Sequence, residues 1–387
     1  MPRSPLFGRR IHISGRISAD AAIATLPDVQ LAREMVKLLV RRLVRLGATF
    51  VVPVDAEHRR AVDGEPICFD WLVWQAIRDS LSQRPAGARD PLAIAVLHHK
   101  NEDQVPPEFS ELWDELRGSD RIQIESAARW NMNSKRMEAQ ARWGDVLIAL
   151  GGCEGVHFLA NLYHDAGRPV IPLPLRICSA DAGARQLFHH AEIRANSGRF
   201  FQTEVTDPHT WTNRMNFPVR TGVPERVNDI IALLEDLEPP RAFAVRLLNP
   251  DHEDFIDVDT FFDVVVKPVV EDELGYKLAV VDGRQAFREA RIDGDIFARL
   301  HRSALVIADY TGSRPNCFVE MGYALGRGAP TIVTAREGTT PPFDIHTVAA
   351  LMWKPSGSVE ERRRAFRDHW EAVRNRPPLV RTEPLIP

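Results

Sequence analysis

Cysteine is scarce in this chain. Its 387 residues hold four, Cys68, Cys153, Cys178 and Cys317, all far apart and none in a CxxC pair. That excludes a zinc knuckle or a dithiol redox motif, and reduced thiols are the expectation. Long apolar runs are absent too. Nothing approaches the ~18 consecutive apolar residues of a membrane span. The first residues, MPRSPLFGRRIHISG, lack the apolar core of a secretory signal. A cytoplasmic protein with no membrane partner is expected. Charge of one sign is not in excess. With 49 basic and 53 acidic residues the formal net charge is -4, which gives no reason to expect a nucleic-acid partner. Lysine is rare, at positions 37, 100, 135, 267, 277 and 354 only. Base composition explains the bias towards arginine, and phosphate binding through the guanidinium fork is the functional alternative. The neighbouring pairs His98-His99 and His189-His190 cannot converge from one helix face, so no metal site is expected.

What the chain does have is alternation. At 387 residues and 44% hydrophobic content it is long and apolar enough for two buried cores. Apolar, β-branched runs alternate with helical patterns, which predicts α/β architecture: two Rossmann-like or flavodoxin-like domains with parallel sheets. The clearest break is Glu238-Pro239-Pro240-Arg241, giving domains 1–238 and 241–387. Strands are expected near 10–14, 48–54, 92–97, 121–125, 145–150 and 170–172 in the first domain, with Asp28 capping a helix to Leu46. Trp71, Trp74 and Ile77 form an apolar stripe. Residues 174–222 give no clear reading beyond a helix near 182–193. In the second domain a helix is expected over 260–274, and the Arg362-Arg363-Arg364 cluster of the last helix reads as a solvated face.

The most informative stretch is Ser303 to Thr334, SALVIADYTGSRPNCFVEMGYALGRGAPTIVT. It reads as a strand ending at Asp309, a turn-rich loop, a helix capped by Asn316, and a second strand. A parallel βαβ unit gathers polar side chains at the carboxyl end of its strands. Glu320 is expected in the first turn of that helix, where a carboxylate beside apolar neighbours suits a cationic sugar carbon. A simple complement to the helix dipole is an equal alternative. Arg246, Asp282 and Arg284 fall at neighbouring strand ends as candidate substrate contacts; the two arginines could neutralise a diphosphate, with solvent-exposed charge the equal alternative.

These residues resemble a known family. The runs Ile307-Ala308-Asp309-Tyr310-Thr311 and Arg314-Pro315-Asn316-Cys317-Phe318-Val319-Glu320-Met321-Gly322-Tyr323-Ala324 are similar to nucleoside 2-deoxyribosyltransferase-like and TIR-like proteins, over roughly residues 242–334. The resemblance implies that Glu320 acts at the sugar C1′, that Asp309 positions the sugar and that Asn316 is the matching loop residue. Arg314 stands where the transferases have an acidic residue, which points away from deoxynucleoside transfer and towards N-glycosidic cleavage of a related nucleotide.

The first domain carries Gly151-Gly152-Cys153-Glu154-Gly155 between a strand and a helix, a place where backbone N–H groups face an anion. Ser14-Gly15-Arg16 lies at a corresponding strand end. With Lys135-Arg136-Met137 and the DVLIAL strand, this half resembles the SLOG superfamily of nucleotide sensors and phosphoribohydrolases. The hydrolases' glutamate falls on Leu159, so the resemblance implies a binding module. Ser14, Gly15, Arg16, Arg136, Gly151, Gly152 and Gly155 are its candidate contacts for a nucleotide signal. Together the two resemblances imply a nucleotide-regulated N-glycosidase in bacterial antiphage defence. It would have NAD as a possible substrate, no cofactor, and homo-oligomer assembly that ligand binding could induce. A non-enzymatic nucleotide-binding protein and a constitutive deoxyribosyltransferase remain open.

Overall fold

The apolar runs become two all-parallel sheets. The structure is a computed structural model that describes residues 4–88, 91–97, 104–127, 133–281, 292–341 and 348–374, with residues 292–295 described by their backbone alone. The chain divides into two compact units, the first running to Glu238 and the second starting at Pro239.

The first unit holds β1 (Arg10–Arg16), β2 (Thr49–Val54), β3 (Ala93–Leu97), β4 (Ile122–Ser126), β5 (Val146–Gly151) and β6 (Val170–Leu173), in the order β4-β3-β2-β1-β5-β6. All residues of β2, β3, β5 and β6 are buried, as strands covered by helices on both faces must be. The helices are α1 (Leu26–Arg45), α2 (Asp70–Ser80), α3 (Ser110–Arg117), α4 (Asn133–Trp143), α5 (Glu154–Asp165), α6 (Gly183–Glu192), α7 (Arg194–Phe200), α8 (Pro208–Met215) and α9 (Val223–Asp236). The N-cap of α1 is Thr25, not Asp28: the Thr25 side chain accepts from the Asp28 backbone N–H, and its hydroxyl donates to the Asp28 carboxylate at 2.6 Å. The early start is allowed because Pro27, in the first turn, needs no N–H acceptor. Trp71 and Trp74 are core residues, and their indoles donate to the carbonyls of Asp55 and Pro53.

Residues 174–222, opaque in the sequence, form α6 to α8. Trp211 anchors them, donating its indole N–H to the Asp236 carboxylate at 2.6 Å.

The second unit orders its strands β11-β10-β9-β7-β8, with β7 (Arg241–Val245), β8 (Lys277–Val280), β9 (Leu305–Asp309), β10 (Thr331–Arg336) and β11 (Ala350–Trp353). Its helix starts earlier than expected, as α10 (Phe255–Phe261), and continues through π-helical turns at Phe262–Val266 and Pro268–Glu273. Pro268 explains the change of pitch. It has no N–H to give the carbonyl of Val264, so the ladder widens there. The Val264 carbonyl also accepts from Arg363 Nε at 2.8 Å. Arg363 is therefore part of the packing and not of a solvated face. The remaining helices are α11 (Ile292–His301), α12 (Pro315–Gly326) and α13 (Val359–Val373), to which Arg363 belongs. Phe261 stacks on Trp353 with ring centroids 4.4 Å apart and meets Phe366 edge-on. No described helix is long and apolar enough to cross a membrane.

Candidate functional sites

Each sheet reverses its strand order once. In the first unit the reversal lies between β1 and β5, in the second between β7 and β9. Ligands of open α/β sheets bind outside the carboxyl ends of the strands at such a point.

In the first unit β1 and β5 run in register, Gly15 opposite Leu150 and Arg16 opposite Gly151. A Cβ on Gly15 would stand 1.7 Å from the Leu150 carbonyl oxygen, so only glycine lets the two backbones close up. Gly151 and Gly152 both take positive φ, 54° and 79°, and Gly152 N–H donates to Arg16 O. This double turn ends β5 and aims the start of α5 at a crevice of about 230 Å³, lined by Arg16, Ser18, Gly152, Cys153 and Ser179 among others. Of the seven expected contacts, Arg16 and Gly152 face this crevice, and Gly15 and Gly151 shape it. Ser14 sits within β1 and Gly155 inside α5. Arg136 is ion-paired with Asp55 at the end of β2. Leu159 is a buried core residue.

Sequence reasoning missed a second feature beside the crevice. Arg16 bridges to Cys68 across the backbone. Burial, with Asp70 and Asp55 close by, pushes the Cys68 thiol up to about 12, while Arg16 and Arg136 act in the opposite direction. Burial also raises the Asp70 carboxyl to about 7; Arg136 lowers it and Asp55 and Glu57 add to the rise. The signal was available in CFDW, an Asp at the start of a helix with Asp55 at a strand end, but the two are too far apart in sequence to be paired without the fold.

In the second unit Asp309 is fully buried. Its Oδ1 accepts from Thr311 N–H at 3.0 Å, and its Oδ2 accepts from the Thr334 hydroxyl at 2.7 Å and the Trp353 indole at 2.8 Å. The carboxylate ties β9, β10 and β11 together beneath the loop that follows β9. Burial raises its pKa, partly offset by those bonds. It does not face solvent, and its bonds hold the loop that follows β9. Asn316 is exposed inside α12, whose cap is Arg314, with Pro315 taking the first helical position. Glu320 consequently lies in the second turn and not the first. It is half-buried, with no hydrogen-bond or ion-pair partner among the described residues, and burial alone raises its pKa. Asp309 and Glu320 both bear on the buried thiol of Cys317, which is pushed up to about 12, chiefly by desolvation.

Arg246 is drawn to α10. Its Nη1 stands 2.9 Å from Asp259 Oδ1, and its guanidinium lies over the Phe262 ring. Asp282 and Arg284 lie outside the described residues. His252, not foreseen, sits in the loop after β7. A Cβ placed on Gly312 would come within 2.9 Å of its ring. Arg336 pairs with Asp254 and Asp257, and its N–H donates to the Thr311 hydroxyl at 2.8 Å. The loops after β7 and β9 are thereby tied to the end of β10. Ser313, in the loop after β9, is the one non-glycine with positive φ among the described residues, at 49°.

Residues 6–234 match the family model described as ATP nucleosidase Cap17-like, N-terminal. The chain belongs to that family. The match to the Cap17-like N-terminal domain takes in both glycine turns, the Asp55–Asp70 cluster and most of α9, and it leaves the second unit outside. It fits a nucleotide-handling domain of the kind the SLOG resemblance implied. No curated protein matches the chain. The four cysteines are free thiols. Among the described residues no group of His, Cys, Asp or Glu is arranged to hold a metal ion.

Proposed function

We propose that this protein is an N-glycosidase that cleaves a ribonucleotide between its base and C1′, with Glu320 as the carboxylate at the reacting carbon. Membership of a family described as ATP nucleosidases supports the reaction class. The observation that carries the site is Glu320 itself: a half-buried carboxylate in the second turn of the helix that follows β9, with no hydrogen-bond or ion-pair partner among the described residues. Partial desolvation, with no ion-pair partner among the described residues, leaves its charge available to a positive partner that forms only in the transition state. As the C1′–N bond breaks, its electron pair leaves with the base and the sugar becomes an oxocarbenium ion. Glu320 stabilises that ion, water adds to C1′, and the water's proton is released. Nicotinamide leaves NAD neutral, whereas adenine leaving ATP needs a proton. The family description favours ATP; NAD is the comparison substrate.

In this reading the first unit binds a nucleotide signal at the Arg16–Gly152 crevice and switches the second, by assembly of the chain into oligomers, in antiphage defence in the cytoplasm. The test is base release from ATP and from NAD by purified protein, with and without a panel of cyclic nucleotides. A second reading has one observation in its favour: the family match lies on the first unit. It puts the cleavage at Asp55 and Asp70 beside Arg136. Asp70→Asn then abolishes base release while Glu320→Gln leaves it intact; the first reading expects the reverse for Glu320.

A further inference from the structure

A second cavity of the first unit, about 320 Å³, lies between the start of α1, the segment after β6, α6 and the α8–α9 connection. Three arginines line it, Arg176, Arg185 and Arg226. None has a carboxylate within ion-pair distance among the described residues. The two acids of the lining are already engaged: Asp28 accepts from the Thr25 hydroxyl at 2.6 Å, and Glu192 meets His189 at 3.0 Å. Arg226 is 7% exposed. It lies over the Phe217 ring, gives Nε to Thr221 O at 2.9 Å and Nη2 to Pro218 O at 3.2 Å, and leaves Nη1 without a protein acceptor. Arg185 spends one bond on Cys178 O. Only Arg226 is held out of water, where the charge of Asp28 acts on it in part; a buried guanidinium is costly, and an anion in the cavity would offset it together with the half-buried Arg185 and the exposed Arg176.

We propose that this cavity binds a phosphate monoester, the phosphate taken by Arg176, Arg185 and Nη1 of Arg226 and the organic part resting on Leu31, Phe188 and Phe217. Guanidinium forks match phosphate oxygens bidentately, and the volume suits a sugar phosphate or a mononucleotide. The site is separate from the Arg16–Gly152 crevice, yet the segment between β6 and α6 walls both, with Arg176 facing one and Cys178 and Ser179 the other. The proposal does not rest on the glycosidase reading.

Calorimetric titration of the full chain with inorganic phosphate, ribose 5-phosphate, AMP and adenosine tests it. The phosphate esters bind, adenosine does not compete for the same site, and the double variant Arg176→Gln/Arg185→Gln weakens ester binding by about tenfold or more. Ester binding tighter than inorganic phosphate assigns an organic ligand; equal affinities assign the bare anion, and either keeps the site. Arg176 is exposed and makes no bond among the described residues, so Arg176→Gln alone carries the test if the double variant does not fold. No binding of any phosphate up to about 10 mM, or binding that Arg176→Gln leaves unchanged, overturns the proposal.

Discussion

Asp309 is the clearest place to perturb the second unit. Its carboxylate accepts three hydrogen bonds in a site without solvent access, from Thr311 N–H, the Thr334 hydroxyl and the Trp353 indole. Asp309→Ala removes both acceptor oxygens and with them all three bonds. The Thr334 hydroxyl can rotate to another acceptor, but the two N–H groups cannot. Orphaned buried donors cost about 1–3 kcal/mol each, so the loss is about 2–6 kcal/mol. Removing a desolvated carboxylate works against this, and burial does raise the Asp309 pKa. The net expectation is therefore in the lower half, about 2–4 kcal/mol, a large fraction of what holds a domain together. Asp309→Asn should cost less. Its oxygen can keep the Thr334 and Trp353 bonds, and only the Thr311 N–H then faces an amide instead of an acceptor. Urea unfolding, followed by hydrogen exchange of β9 and β10 amides, gives the order wild type, Asn, Ala in decreasing stability. If Asp309→Ala unfolds at the wild-type midpoint, or Asp309→Asn is as damaged as Asp309→Ala, the described acceptor pattern is wrong.

Other outcomes follow from the same geometry. Gly15→Ala forces β1 and β5 apart and should destabilise the first unit by about 3 kcal/mol or more, read as a drop in its thermal midpoint by circular dichroism. Asp70, with its folded pKa near 7 and thus above its unfolded value, binds a proton more tightly when folded. Its contribution is intact below about pH 4 and is lost as the pH rises towards 7, and Asp70→Asn should flatten that part of the stability–pH profile. Asp236 behaves oppositely. Although desolvation pushes it up, bonds from Trp211, Thr206 and Val205 hold its pKa below the usual range, so the α8–α9 tie is present at neutral pH and weakens in acid; Trp211→Phe should reduce that acid dependence, the Thr206 and Val205 bonds keeping the rest. Arg363→Gln removes the side-chain bond to the Val264 carbonyl and should cost about 1 kcal/mol in urea unfolding.

The fold was legible because parallel sheets demand continuous apolar strands, and runs such as DVLIAL and ALVIAD carry that signal unaided. Helix starts were less legible. Thr25 and Arg314 cap α1 and α12 because prolines inside each first turn extend the helix earlier than the Asp28 and Asn316 side chains suggest. Glu320 lies in the second turn and not the first for the same reason. The role of Asp309 was hidden because its partners, Thr334 and Trp353, come from other strands. Arg246 looked free in sequence, and α10 brings Asp259 to it. The Asp55–Asp70–Arg136 group is assembled from three distant segments, and only the parallel register of the sheet brings them together.

The central claim is that Glu320 stabilises a sugar cation. Base release from ATP and NAD, measured by chromatography on wild type, Glu320→Gln and Asp70→Asn under the same nucleotide panel, tests it most directly. The account predicts release by the wild type and its loss by about a hundredfold or more in Glu320→Gln, with Asp70→Asn still active. Release that survives Glu320→Gln and disappears in Asp70→Asn would contradict it and move the chemistry to the first unit.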